Sequence, residues 1–116
     1  MPVIELKTTE QLDNAMKKAV ADGFANAFFC AGEEMVSGNI LTRIETEQWI
    51  DFRHVESEPS ALVVIHPGPL TPEEDYKKIV DAMFEVMKEV LPQIPAARIY
   101  MTVAQIDHWG WNGGLL

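Results

Sequence analysis

The stretch Met1-Pro2-Val3-Ile4-Glu5-Leu6-Lys7 decides how the chain is organised, because it predicts a strand that begins directly after a proline. Apolar and polar residues alternate behind Pro2, which is typical of a strand with one buried face. Proline lacks a backbone N–H, so the first position of a strand is one of the few places in a sheet that tolerates it. Removal of Met1 would free the nitrogen of Pro2 as a secondary amine. These residues alone leave two interpretations open: an ordinary strand start, or a base at a strand end.

Composition excludes several classes of protein. The chain has 116 residues, of which 47% are hydrophobic and 23% charged, and we expect a single globular domain over residues 1–116. No apolar run approaches the roughly 20 residues of a membrane span, and no charged segment precedes an apolar one at the start. The sequence therefore predicts a soluble, cytoplasmic protein without a membrane partner.

Charge and cysteine content narrow the partners further. The formal net charge of -9 repels nucleic acid phosphates, so we expect no nucleic acid partner, and an anionic substrate would need a local cation. The single cysteine, Cys30, and three scattered histidines do not have the spacing of metal ligands. We expect no metal site and no cofactor, and we expect Cys30 to be a small buried hydrophobic residue.

The first half of the chain predicts a helix and a second strand. Thr8 and Gln11 have the spacing of a capping box, and apolar residues then recur every three or four positions. This pattern predicts an amphipathic helix of about five turns, in which Gly23 is a weak point. We expect a loop over residues 32–39, which are rich in turn-forming residues, and a strand over roughly residues 40–49.

The second half repeats this order. The continuous apolar run Ala61-Leu62-Val63-Val64-Ile65 is typical of a central strand covered on both faces. The segment Thr71-Pro72-Glu73-Glu74 offers a threonine cap, a proline at the first helical position and a glutamate that closes a capping box. The predicted helix runs as far as residue 91, before two prolines. A strand over residues 98–105 and a tail rich in glycine and tryptophan follow.

The element order is strand, helix, strand, given twice. Two βαβ units side by side predict an α+β fold, with a four-stranded sheet and both helices on one face. The chain has no third helix to cover the other face. A further copy of the chain is the expected cover, which predicts a symmetric oligomer.

Several segments carry a family resemblance. Ser57-Glu58-Pro59-Ser60-Ala61-Leu62, His66 after it, Arg98-Ile99-Tyr100 and Gly110-Trp111-Asn112 resemble the macrophage migration inhibitory factor family of the tautomerase superfamily in order and spacing. Pro2 stands where that family keeps its catalytic amino-terminal proline. The resemblance is clear over residues 57–112 and only architectural before them.

The resemblance implies a homotrimer whose sites lie at subunit boundaries and bind a small-molecule substrate. Each site would combine Pro2 of one chain with residues of a neighbour. An α-amino group has an ordinary pKa of roughly 8, and burial disfavours its charged form. A neutral amine can remove a proton from the carbon beside a carbonyl. The implied activity is cofactor-independent keto–enol tautomerisation of compounds such as phenylpyruvate.

The resemblance also implies substrate-binding residues. Tyr100 matches a site tyrosine that reaches the neighbour's pocket, Trp111 matches an aromatic pocket wall, and Trp109 is a second candidate wall. Thr102 stands where the family often has asparagine, and the backbone near Gly68 departs from the family pattern and would change the pocket floor. The alternative role of Tyr100 and Trp109 is packing at an interface.

Other positions depart from the family pattern. The family's substrate-binding lysine falls on Glu33, which has the opposite charge. Arg43 or Arg53 could replace that lysine, since a guanidinium binds carboxylates in a bidentate manner, or both could be surface charges. His66 matches a family histidine and is expected to be a core residue outside the site.

Two classes of function therefore remain open. The first is a tautomerase that uses Pro2 as its base. The second is a non-catalytic ligand-binding or signalling trimer of the same fold.

Overall fold

A computed structural model describes residues 2–31, 39–69 and 71–115. It confirms the predicted α+β fold of two βαβ units. The central sheet has the strand order β2-β1-β3-β4, in which β1 pairs parallel with β2 and antiparallel with β3, and β3 pairs parallel with β4. The elements are β1 (Val3–Thr8), α1 (Asn14–Cys30), β2 (Leu41–Glu45), β3 (Ala61–His66), α2 (Tyr76–Val90), β4 (Ile99–Val103), β5 (Gly110–Trp111) and β6 (Gly114–Leu115).

The core lies between the sheet and the two helices. Ile4 and Leu6 of β1 and Val63 and Ile65 of β3 are fully buried, while the residues that alternate with them are only half-buried. The buried faces of α1 and α2 join the same cluster. The alternation in β3 shows that this strand is covered on one face within a single chain. The expectation of cover on both faces requires a further copy.

The start of α1 differs from the prediction. Asp13 is the N-cap, and its carboxylate accepts a hydrogen bond from the backbone N–H of Met16 at 2.8 Å. Thr8 does not cap the helix, because its hydroxyl donates to the carbonyl oxygen of Ser60 at 2.9 Å and ties β1 to the end of the loop before β3. The predicted capping box of Thr8 and Gln11 is therefore wrong.

The start of α2 also differs. A 3₁₀ turn over Glu73–Asp75 precedes the helix, and no side chain caps either element. The hydroxyl of Thr71 is buried and has no hydrogen-bond partner among the described residues. The predicted threonine cap is wrong, because the chain enters the helix through a 3₁₀ turn instead of a capping box.

Gly23 is a contact point between the helices. A Cβ atom at this position would lie 2.5 Å from Cγ1 of Val86 on α2. That distance is shorter than carbon atoms tolerate, so the glycine allows α1 and α2 to approach closely. The weak point expected from helix propensity is thus where the helices touch.

Three further predictions need correction: the length of β2, the length of β4 and the burial of Cys30. Strands β2 and β4 are shorter than expected, at five residues each. The tail forms the hairpin of β5 and β6, whose turn places Asn112 and Gly113 at positive φ, as a two-residue turn between strands requires. Cys30 is exposed, not buried, because it ends α1 on the side away from the core. The loop predicted over residues 32–39 lies almost entirely outside the described residues.

The outer face of the sheet, turned away from the helices, carries both apolar and charged side chains. The register brings Glu5 opposite Arg43 and Lys7 opposite Glu45, and Arg43 forms an ion pair with Glu45 at 2.8 Å. Two acids and two bases alternate here, so the group is electrically neutral in a strongly acidic chain. The strand register assigns these residues to the outer face: Val3, Glu5, Lys7, Leu41, Arg43, Glu45, Leu62, Val64, His66, Tyr100 and Thr102.

Within the described ranges, neither α1 nor α2 has the length and hydrophobicity that a membrane-crossing helix requires.

Candidate functional site

A cavity of about 250 Å³ lies where β1 begins. Pro2 is buried at this point and lines the cavity together with the two tryptophans of the tail. The sequence predicted all three for the site, and the fold brings them together. The described residues that line the cavity are Pro2, Val3, Asn39, Ile40, Leu41, Trp109, Gly110 and Trp111.

Pro2 is held by its carbonyl group. The carbonyl oxygen accepts a hydrogen bond from the backbone N–H of Leu41 at 3.0 Å, which starts the parallel ladder between β1 and β2. The next residue, Val3, pairs with both Leu41 and His66. Strands on both sides of β1 thus fix the backbone at Pro2. Met1, whose removal would free the amine, lies outside the described residues.

The two tryptophans are positioned by the tail. Trp109 is half-buried, and its indole N–H donates to the carbonyl oxygen of Ile106 at 2.8 Å, which fixes the ring. Trp111 lies on the β5–β6 hairpin and leaves 57% of its surface exposed. One wall of the cavity is therefore rigid, and the other presents a large apolar surface that a ligand or a second chain would cover.

Tyr100 and Thr102 lie far from this cavity within one chain. Tyr100 pairs with Leu62, which pairs with Lys7, so it is two strands across and five residues along from Pro2. Standard strand geometry makes this displacement about 17 Å along the strands and about 10 Å across them. The side chain of Tyr100 is 61% exposed on the outer face. Only another copy of the chain could bring it to a Pro2 cavity.

Gly68 and His66 lie close to the end of β3. The carbonyl oxygen of Gly68 accepts from the side-chain amide of Gln105 at 3.1 Å, and Gly68 is buried but does not line the Pro2 cavity. Nδ1 of His66 donates to the carbonyl oxygen of Ala104 at 3.0 Å. His66 is hydrogen-bonded as expected, but it belongs to the outer face and is half-buried, so its predicted place in the core is wrong.

Known structures share this architecture. A macrophage migration inhibitory factor-like protein from Entamoeba histolytica matches with a TM-score of 0.84 at 14% identity, over 99% of this chain and 98% of that one. The protein MIF2 of Leishmania major matches with a TM-score of 0.83 at 18% identity, over 100% of this chain and 97% of that one. A structure of a protein inactivated by 2-oxo-3-pentynoate matches with a TM-score of 0.82 at 15% identity, over 97% and 93%.

The chain has the macrophage migration inhibitory factor fold. No protein-family model and no curated protein matches the sequence. Because the identities with the solved structures are low, the similarity establishes the fold and leaves the chemistry to the residues of this chain.

Within the macrophage migration inhibitory factor fold, the positions of the two candidate arginines differ. Arg43 lies on β2 and is paired with Glu45 at 2.8 Å, so its charge is already balanced. Arg53 follows Phe52 in a tight turn, and none of the described acidic side chains forms an ion pair with it. Glu33, which stands at the position of the family lysine, lies outside the described residues.

Phe52 joins Tyr100 to two arginines. The ring of Phe52 meets the Tyr100 ring edge-on, with centroids 6.5 Å apart. The guanidinium groups of Arg53 and Arg98 lie 5.6 and 5.7 Å from the centre of the Phe52 ring. Arg98 also donates to the carbonyl oxygens of Phe52 and Val55, which holds the turn between them. Sequence reasoning found Tyr100 but missed Phe52.

Two features of the site had little signal in the sequence. Leu41 lines the cavity because β2 pairs in parallel with β1, a register that the sequence does not encode locally. Phe52 had a weak signal, as the second aromatic residue of the short stretch Trp49-Ile50-Asp51-Phe52 between polar segments. Across the described part of the chain, no three histidine, cysteine or acidic side chains come together as metal ligands would.

Proposed function

We propose that the chain is a cofactor-independent keto–enol tautomerase that acts on small enolisable carbonyl compounds such as phenylpyruvate. Its general base is the secondary amine of Pro2, after removal of Met1. The observation that carries this proposal is the position of Pro2, buried at a strand start in a cavity walled by Trp109 and Trp111.

The environment of Pro2 suits proton transfer from carbon. Apolar side chains and two indole rings surround the cavity. Burial disfavours the charged form of an amine and so lowers its pKa below the ordinary value for an α-amino group. A larger fraction of the amine is then neutral at physiological pH and able to accept a proton.

The chemical step needs no redox partner. The neutral Pro2 amine takes a proton from the carbon beside the substrate carbonyl, the C–H electron pair forms a C=C bond, and the π pair of the C=O bond moves onto the oxygen. The carbonyl oxygen gains a proton from water or from the new ammonium group, which gives the enol. The reverse sequence returns the keto form, so atoms and electrons balance without a cofactor.

The proposed active form of the protein is a homotrimer with sites at its subunit interfaces. Three observations support it. The outer face of the sheet lacks a covering element within the described chain, the face carries a neutral charge group, and Tyr100 lies too far from its own Pro2 cavity to line it. A neighbour would supply Tyr100 and Thr102 to the cavity of Pro2, Trp109 and Trp111.

The similarity to a protein inactivated by 2-oxo-3-pentynoate bears on the substrate class. That compound is a 2-oxo acid, as phenylpyruvate is. We therefore propose 2-oxo acids as substrates.

A cytoplasmic location stays a prediction from composition.

The test blocks the amine and leaves the side chain in place. An alanine inserted between Met1 and Pro2 turns the proline nitrogen into a non-basic amide after processing. Phenylpyruvate tautomerisation should then fall by about 10²- to 10⁴-fold, the usual contribution of a general base. Light scattering and circular dichroism establish that assembly and fold are unchanged. Full activity in the blocked protein would exclude Pro2 as the base, and a wild type inactive on arylpyruvates would favour the non-catalytic binding trimer.

A further inference from the structure

The cations of this acidic chain are mostly neutralised. Five of the nine Lys and Arg side chains form ion pairs with acids. The guanidinium of Arg98 donates hydrogen bonds to backbone carbonyl oxygens and to the hydroxyl of Ser60. Of the remaining three, Lys17 and Lys88 lie on the helices, and Arg53 lies beside the Tyr100 aromatic pair. Within the described residues, Arg53 is thus a cation without an ion-pair partner that contacts the aromatic neighbour of a candidate site residue.

The turn that carries Arg53 is strained. Phe52 and Val55 exchange two backbone hydrogen bonds of 3.2 and 3.1 Å across it, and Arg53 and His54 between them have φ of 56° and 64°. Such a turn normally uses asparagine and glycine, which adopt positive φ at little cost. Two non-glycine residues in this conformation cost free energy and persist only where the surroundings hold them.

Arg98 stabilises this turn. Its guanidinium donates to the carbonyl oxygen of Phe52 at 3.1 Å and to that of Val55 at 2.8 Å, one at each end of the turn. The Phe52 ring contacts both guanidinium groups and the Tyr100 ring. The strained turn therefore presents Arg53 beside the Phe52 ring, which meets the exposed Tyr100 ring edge-on.

We propose that Arg53 binds the carboxylate of an aromatic 2-oxo acid substrate, on the Tyr100 side of a site that a second copy completes with Pro2. This inference rests on the proposed function and specifies its substrate class. A guanidinium binds a carboxylate through two parallel hydrogen bonds. The local positive charge also offsets the net charge of -9, which otherwise repels an anionic substrate.

The experiment compares a charged and an uncharged substrate with the same reacting carbon, phenylpyruvate and its methyl ester. The variant is Arg53→Asn, because asparagine tolerates positive φ and the turn should still form. Loss of a hydrogen bond to a charged group should raise KM for phenylpyruvate about tenfold or more. KM for the ester and kcat for both compounds should change less than about twofold, since no general base is removed. Arg53→Lys, which keeps the charge, should restore part of the affinity.

Two further measurements separate this inference from the proposed function. Arg43→Asn removes the rival arginine, and a rise of KM in that variant instead of Arg53→Asn would overturn the assignment. Isothermal titration with 3-phenylpropionate, a carboxylate that needs no turnover, reports binding alone. Suppose that the wild type lacks tautomerase activity but binds 3-phenylpropionate more tightly than Arg53→Asn does. That result would support the Arg53 assignment and defeat the proposed function. Unchanged binding and unchanged KM in Arg53→Asn would defeat the Arg53 assignment, whatever the activity.

Discussion

The carbonyl oxygen of Pro2 and the backbone N–H of Leu41 form a hydrogen bond of 3.0 Å, so the proline is fixed by the end opposite to its nitrogen. If the freed nitrogen is the base, its protonation state sets the rate. We expect kcat/KM for phenylpyruvate to rise with pH and level off above the pKa of the amine, because only the neutral form accepts a proton. Burial should place that pKa below the ordinary value for an α-amino group.

A pH–rate profile between about pH 5 and 9 measures this dependence directly. The protein with an alanine inserted before Pro2 serves as the control and should lack the inflection. A profile that falls with rising pH over the same range would contradict a neutral amine as the base.

Trp111 should contribute to substrate binding more than to the chemical step. Its ring is 57% exposed and faces the cavity beside Pro2. Trp111→Ala removes an apolar wall, and burial of such a surface is worth about 1.5–3 kcal/mol, so KM should rise about tenfold or more. Phe29→Ala is the control, since Phe29 is 49% exposed on α1 and does not line the cavity. Steady-state kinetics on both variants checks this, and equal effects would remove Trp111 from the site.

Gly23→Ala should destabilise the protein although alanine is the better helix former. The helix preference favours alanine by about 1 kcal/mol. The added Cβ would however meet Cγ1 of Val86 at 2.5 Å, and the branched Val86 side chain cannot move away easily. Overpacking of this kind costs about 1–3 kcal/mol. We expect a net loss of about 1 kcal/mol in urea unfolding.

The double variant Gly23→Ala/Val86→Ala tests the reason. Removal of the two Val86 methyl groups should relieve the overlap, so the two changes should not be additive. Additive losses would mean that the close approach of the helices is not the cause.

Arg98 should be the most important arginine for stability. Its guanidinium donates to the carbonyl oxygens of Phe52, Val55 and Pro59 and to the Ser60 hydroxyl. Arg98→Gln leaves several of these acceptors without a donor, which should cost about 2–3 kcal/mol. The control Lys77→Gln breaks an exposed ion pair with Asp81 on α2 and should cost less than about 1 kcal/mol. Urea unfolding of both variants at one protein concentration measures the difference.

Hydrogen exchange gives a local readout of the same prediction. The amide of Val55, which donates to Phe52 across the turn, should exchange faster in Arg98→Gln than in the wild type. An unchanged rate would show that the turn holds itself without Arg98.

The fold was largely predictable because its main determinants are local. The spacing of apolar residues distinguishes helices from strands, and the order of elements defines the two βαβ units. Helix caps were less predictable, since Thr8 and Asp13 are both good capping residues and tertiary contacts decide between them. Thr8 bonds to Ser60, which is distant in sequence, so Asp13 becomes the cap.

The site was predictable only where residue type and position carried the signal. Pro2 and the tail tryptophans stood out, and the fold brings them to one cavity. Leu41 and Phe52 did not. The place of Leu41 depends on strand register, and that of Phe52 on a turn of Arg53 and His54 that lacks the usual asparagine–glycine signature. A relation of Tyr100 to the Pro2 cavity would require a second copy, and the apolar pattern of one chain carries no signal for it.

The strand order also has a consequence for the order in which the chain folds. Each βαβ half pairs its own two strands, and among the strand pairings only the antiparallel ladder between β1 and β3 joins the halves. That ladder connects residues that are far apart in the sequence, so its closure is entropically costly and should be the late step of folding. During synthesis the first half emerges alone, with the β3-facing edge of β1 uncovered. We expect this edge to be the point at which the nascent protein is most prone to aggregation.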